Sequence, residues 1–302
     1  MELIWDLEFG VWNLFMISPF DYRTPNTIEE ATDLLWQNEG KAKLIAGGTD
    51  LMIGLRNGGQ NPQRIIDITK IEELRKIEER NGMISVGAAV THSEIASSPL
   101  IKECAKVLSD AASEIGSPQI RNLGTIGGNI VNASPAADTI PPLIVLNAMG
   151  KVVSKEGEKQ VPIYQLFKGP YETNLKPHEL LVQVAFQKLS SDMRSSFVRL
   201  ARRDAMAIAR MSAAIVLEME KGKKRIKDIR IAAGSVTPTP QRFSEAEDLL
   251  RGKSPDEETL RRASLKVSET MISRTGIRPS ASYKRPVIEA LFIRGVRKAL
   301  EG

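Results

Sequence analysis

The chain has 302 residues, is 42% hydrophobic and carries a formal net charge of +5, which is ample for a real core divided into two or three subdomains. A modest charge and an aromatic content of 5% do not make the basic, stacking face of a nucleic-acid binder. The single cysteine, Cys104, excludes an internal disulfide, and one thiol cannot by itself build a zinc or iron–sulfur site.

Residues 1–17 read as an N-terminal extension, with Met16 as an alternative start. Their early acids are unlike a secretion signal, no apolar run reaches the length of a membrane span, and a cytoplasmic location is expected. Thr24-Pro25 followed by Ile28–Leu35 predicts a helix capped by Thr27. Strands are predicted at Lys43–Ala46 and Ile65–Ile68, around the run Leu44-Ile45-Ala46-Gly47-Gly48-Thr49-Asp50-Leu51. A Gly-Gly after a strand reads first as a plain tight turn, with a backbone cradle for an anion as the alternative. Ile84–Gly87 predicts a strand, Ser93–Ser97 a helix in which His92 plays a simple polar role, and Ile101–Ile115 one longer amphipathic helix that buries Cys104.

That helix leads into the most informative stretch, 115–141, where Gly124, Gly127 and Gly128 alternate with Asn122, Thr125, Asn129, Asn132, Ser134 and Asp138. A polar cluster with little charge is costly unless something hydrogen-bonds to it. Neither GxxxxGK[ST] nor GxGxxG is present, so backbone dipoles and hydroxyls would have to hold a phosphate. Two glycine loops on one chain point to a ligand with two linked phosphates and a large organic part. Valine at Gly127 or Gly128 is therefore expected to block the ligand and leave the fold intact.

Further strands are predicted at Lys151–Ser154, 161–163 and Leu180–Phe186, and the polar stretch 189–196 marks a domain boundary. Ala213–Met219 and Ile226–Ala233 predict an antiparallel pair, joined by Lys221–Lys227 as a solvated basic turn. Helices follow at Ser244–Leu250, Glu257–Met271 and Lys284–Leu300, the last with a core stripe of Val287, Leu291 and Val296.

Ala46-Gly47-Gly48-Thr49-Asp50-Leu51 and Thr125-Ile126-Gly127-Gly128-Asn129, with the later 199–206, 233–242 and 282–285 segments, resemble the FAD-binding medium subunits of molybdenum hydroxylases. Arg-Asp-Ala-Met at 203–206 leans towards the xanthine dehydrogenase branch, with the carbon monoxide dehydrogenase type as its neighbour. The resemblance implies an α+β fold: a two-part FAD-binding region of the PCMH type, similar to vanillyl-alcohol oxidase, over 18–190 (subdomains about 18–75 and 76–190). A C-terminal domain with an antiparallel sheet and helices would occupy 191–302. It implies non-covalent FAD here, with the molybdenum cofactor and the [2Fe-2S] clusters only on partner subunits, and NAD as the electron acceptor. A heterotrimer of small, medium and large subunits, itself dimerised, is the implied assembly, and the lone cysteine agrees with that division of labour.

By the same resemblance Leu44, Ile45, Ala46, Gly47, Gly48, Thr49, Asp50 and Leu51 form one wall, with main-chain donors for the diphosphate. Thr125, Ile126, Gly127, Gly128 and Asn129 grip it from the other side. Asp138 would accept from a sugar-chain hydroxyl of FAD, Leu181 would pack on the flavin, Ile115 would line the adenine end and Arg199 would stand near the ring. Taken alone, Asp138 also reads as a surface acid, Leu181 as a strand-core leucine and Arg199 as a strand-surface cation. Ala207 stands where many relatives carry an acid, so a carbon monoxide dehydrogenase-like or other hydroxylase with a different acceptor stays open, as does a non-enzymatic dinucleotide-binding module. A free-standing flavin oxidase with covalent attachment fits less well, because His92 and Cys104 lie outside both loops.

Overall fold

The computed structural model describes residues 19–301 except 39, 204, 205, 223 and 278. The expected extension over 1–17 and part of the Arg-Asp-Ala-Met segment lie outside the described residues.

The chain begins with β1 (Asp21–Arg23), α1 (Ile28–Gln37), β2 (Ala42–Ile45), α2 (Leu51–Arg56) and β3 (Arg64–Asp67), in which the strands form a small parallel sheet of order β1-β3-β2. Thr27 caps α1 as expected, its hydroxyl accepting from the Glu30 amide at 3.1 Å. Next come β4 (Ile77–Arg80) and β5 (Met83–Gly87), then six short helices: α3 (His92–Ser97), α4 (Pro99–Cys104), α5 (Lys106–Ser113), α6 (Pro118–Leu123), α7 (Ile126–Asn132) and α8 (Ile140–Val145). The strands β6 (Met149–Ser154), β7 (Gly157–Pro162), β8 (Phe167–Gly169), β9 (Glu172–Thr173) and β10 (Leu180–Gln187) follow. An antiparallel sheet of order β4-β5-β10-β6-β7 lies beneath the helices, and β8 and β9 form a separate ribbon.

Two expectations fail here for local reasons. The single helix over Ile101–Ile115 is broken at Ala105 (φ −155°), because the Cys104 carbonyl accepts from the Leu189 amide at 3.1 Å and so serves the end of β10. Cys104 is buried, as expected, and burial pushes its thiol up. The second correction concerns the glycine-rich stretch, which is largely helical rather than a loop, with Ser117 and Thr125 capping α6 and α7.

The rest of the chain is β11 (Met193–Leu200), β12 (Met211–Met219), β13 (Ile226–Gly234), α9 (Ser244–Leu250), α10 (Glu257–Thr275) and α11 (Ala281–Glu301). The three strands are antiparallel with β12 central, and the basic segment is their hairpin turn, closed by Glu220 N to Arg225 O at 2.9 Å. The β12 strand is apolar from Ala213 to Leu217 because both its faces are covered there. Ala213, Ile215 and Leu217 pack under the C-terminal helices with Val267, Ile288 and Phe292, while Ala214 and Val216 join the core of Leu108, Leu143 and Ile144. Of the polar stretch 189–196, the first part is a tight turn, Met193 N to Ser190 O at 2.9 Å, and 193–196 already belong to β11.

Candidate functional site: a cleft between two glycine elements

The first glycine element is the turn from β2 into α2. Gly48 has φ +67°, a conformation that suits glycine. Gly47 is there for close packing. A Cβ at that position would lie 1.9 Å from the Leu123 carbonyl oxygen, so the turn and the end of α6 touch backbone to backbone. Among the described residues, the amides of Gly47, Gly48, Thr49 and Asp50 have no protein acceptor. Four successive free donors in a turn form a concavity suited to phosphate oxygens.

The second element behaves differently. Thr125 accepts from Gly128 N at 3.1 Å, and the amides of Ile126, Gly127 and Asn129 donate to Val90, Ala88 and Thr125 carbonyls at 2.9–3.0 Å. These donors are committed within the protein, so the expected main-chain grip from this side is replaced by close packing. The two glycines also divide. A Cβ on Gly127 would meet the Ala88 Cβ and carbonyl oxygen at 2.6 Å, whereas on Gly128 it would meet only the Thr125 hydroxyl, at 3.0 Å. Gly127 is therefore a packing residue and Gly128 the open one. The expectation that valine at either position leaves the fold intact is corrected at Gly127.

Between the elements runs a cleft of about 350 Å³. Of the expected residues, the whole Leu44–Leu51 run, Ile115, Thr125, Gly127, Gly128, Asn129 and Leu181 line it. Ile126 does not, being fully buried in the core. Leu181 lines the cleft and also packs on β6, its Cδ1 3.0 Å from where a Gly150 Cβ would stand. Asp50 also ties the walls together, its carboxylate accepting from Asn132 Nδ2 at 3.1 Å. Sequence reasoning overlooked the lining residues Gln60, Ile120, Val131 and Tyr171, which carry no motif signal. His92, expected to play a simple polar role, also lines the cleft and is buried beneath Gly124.

Asp138 and Arg199 are absent from the cleft lining. They form a buried group, with Arg199 Nη1 3.4 Å from Asp138 and its Nε 2.5 Å from Glu114. Ile115 follows Glu114 in the chain, so this ion-paired group lies next to the part of the cleft wall that Ile115 forms. Asp138 Oδ1 is buried without a donor, an acceptor suited to a hydroxyl. Burial pushes the Asp138 carboxyl up to about 7, against the pull of Arg199. Burial likewise brings the His92 imidazole down to about 4, with Arg121 adding to the effect.

These two groups give stability opposite pH dependences. Native Asp138 keeps a proton that the unfolded chain releases above its ordinary 3.8, so this contribution is complete at low pH and is lost as pH rises towards 7. Native His92 stays neutral while the unfolded chain takes up a proton below 6.5, so that contribution is lost as pH falls towards 4. Relative to wild type, Asp138→Asn is expected to gain stability across pH 4–7 and His92→Gln to gain it as pH falls. Each gain is at most about 1.4 kcal/mol per pH unit. Urea unfolding at fixed pH values measures both, and variant curves parallel to wild type would refute the assignments.

Residues 18–186 match the family described as the FAD binding domain in molybdopterin dehydrogenase, and residues 196–299 the CO dehydrogenase flavoprotein C-terminal domain. The chain belongs to the flavoprotein family of the molybdenum hydroxylases. This flavoprotein is 32% identical to the nicotinate dehydrogenase FAD-subunit of Eubacterium barkeri, over 90% of this chain and 93% of that one. It is 31% identical to the xanthine dehydrogenase FAD-binding subunit of Escherichia coli O157:H7, over 92% and 95%. Among solved structures, a chain of carbon monoxide dehydrogenase from Hydrogenophaga pseudoflava matches with TM-score 0.88 and 30% identity, covering 95% of this chain and 99% of that one. Three substrates at nearly one level of identity do not single out a branch. Among the described residues no group of three His, Cys, Asp or Glu side chains could hold a metal, and no helix is long and apolar enough to cross a membrane.

Proposed function

We propose that this chain holds one FAD non-covalently in the cleft and serves as the electron-transfer subunit of a molybdenum hydroxylase. Electrons would arrive from [2Fe-2S] clusters on a small subunit and leave to NAD. The observation that carries this reading is the run of four acceptor-free amides from Gly47 to Asp50 facing a helix surface kept open by Gly128. FAD supplies the two-electron chemistry of its ring, and the protein supplies position and electrostatics. The Gly47–Asp50 amides hold the diphosphate, Gly128 admits it, Asp138 Oδ1 accepts from a sugar-chain hydroxyl, and Ile115 and Leu181 pack against apolar ring surface. The assignment to a xanthine dehydrogenase-like complex rests on the Arg-Asp-Ala-Met resemblance. A large subunit with the molybdenum cofactor completes a heterotrimer, dimerised and cytoplasmic, with the domains dividing near residue 190.

The test is reconstitution. The isolated chain is expected to be yellow, to release free FAD on denaturation, to contain neither iron nor molybdenum, and to leave purines and aldehydes unchanged. With both partner subunits it should reduce NAD. A pure, folded chain that takes up no FAD would refute the reading, and turnover by the isolated chain would refute the division of labour.

Arg199 supplies a quantitative check. A cation near the ring favours electron uptake by on the order of 1 kcal/mol when partly desolvated. Arg199→Ala is therefore expected to make the flavin potential more negative by about 20 mV for each kcal/mol lost. Spectroelectrochemical titration measures it, and an unchanged potential would place Arg199 outside the ring's surroundings.

A further inference from the structure

Tyr171, between β8 and β9, has φ +61°. A bulky aromatic in the left-handed region is strained, and such strain persists where the surroundings enforce it and function uses it. The surroundings here are explicit. The Tyr171 amide donates to the Ala133 carbonyl at 2.8 Å, Ala133 is itself the left-handed cap at the end of α7 (φ +50°), and Phe167 and Gly169 pair with Thr173 and Glu172. Yet the fold draws little from the side chain. Tyr171 is 67% exposed, and among the described residues its hydroxyl makes no hydrogen bond. Glycine would satisfy the same backbone without strain. What Tyr171 does is line the cleft, beside Leu175 and the half-exposed Val131. Its turn is held at the end of α7 opposite the one that presents Gly128. Seven residues of helix separate the two ends by about 10 Å, within reach of a ring carried on a sugar arm of a dinucleotide whose diphosphate lies at the glycine turn.

We propose that Tyr171 is a cofactor-stacking residue: its ring, held out by the strained β8–β9 turn, covers a planar ring system of bound FAD. The inference rests on the FAD reading above, and its test separates the two. The full-length wild type, Tyr171→Gly and Tyr171→Phe are stripped of flavin, melted, and titrated with FAD. Tyr171→Gly is expected to melt at or above wild type, since the turn is relieved, and to bind FAD about tenfold more weakly, the usual scale for losing one aromatic stack. Tyr171→Phe should bind within about twofold of wild type. A rise in bound-flavin fluorescence in Tyr171→Gly would identify the covered ring as the flavin; weaker binding with unchanged fluorescence would identify it as the adenine. Wild-type affinity in Tyr171→Gly, or an affinity loss accompanied by a lower melting temperature, would overturn the proposal while leaving the FAD reading intact. A wild type that binds no FAD would overturn both.

Discussion

Gly128→Val is expected to yield a folded chain whose FAD affinity has fallen by at least about 100-fold. Gly128 is exposed in the first turn of α7, and a side chain there meets only the Thr125 hydroxyl before entering the cleft. A branched side chain would stand between the helix and the Gly47–Asp50 amides. A displaced diphosphate forfeits several charge-assisted hydrogen bonds, each worth about 1.5–3 kcal/mol. Gly128→Ala is the control, because it makes the same contact with the Thr125 cap but reaches less far. Purified Gly128→Val should therefore be colourless with a wild-type far-ultraviolet spectrum, and Gly128→Ala should be yellow. Full flavin occupancy in Gly128→Val would show that the diphosphate does not lie on this surface.

The second large effect falls on glycines that never need to touch a ligand. Gly47→Ala would place a methyl 1.9 Å from the Leu123 carbonyl oxygen, and Gly127→Val would drive into Ala88 at 2.6 Å. In both places the obstacle is largely backbone, which cannot rotate away. Overpacking of a well-filled core costs about 1–3 kcal/mol, and the closer clash at Gly47 is expected to exceed that range. Both variants should show large losses in urea midpoint without flavin present, and Gly47→Ala should be largely insoluble. Adding Ala88→Gly to Gly127→Val removes one of the two obstacles, the Ala88 methyl, and should recover part of the loss. Flavin-free stability equal to wild type in either single variant would show that the close approach of β2, α6 and the β5–α3 connection is not as described.

The four glycines show how far the sequence could be read. Their positions in two motifs marked the site and matched a family, yet the sequence treated them alike. Only the folded chain separates Gly48, which sets a turn, and Gly128, which opens a surface, from Gly47 and Gly127, which let main chains touch. Hydrogen-bond accounting divides the two loops in the same way. Thr125 looked like a ligand-facing hydroxyl and is an N-cap, and the amides after it are taken by Val90 and Ala88 from the β5–α3 connection. Such partners are distant in sequence, so no local pattern names them.

Local chemistry determined much by itself. The Thr27 cap, the strands on either side of the Gly-Gly turn, the basic hairpin and the three C-terminal helices follow from capping, apolar periodicity and turn composition, which act within a few residues. The family likewise was legible, because its motifs are contiguous. Tertiary structure alone decided where the Ile101–Ile115 helix breaks, since the Leu189 amide just after β10 claims the Cys104 carbonyl. It also brought the buried Asp138 and Arg199 side chains together with the half-exposed Glu114, and held Tyr171 at a left-handed turn over the cleft. Each of these depends on a backbone or charge partner brought close by folding, and the energy of such a meeting is written in neither segment alone.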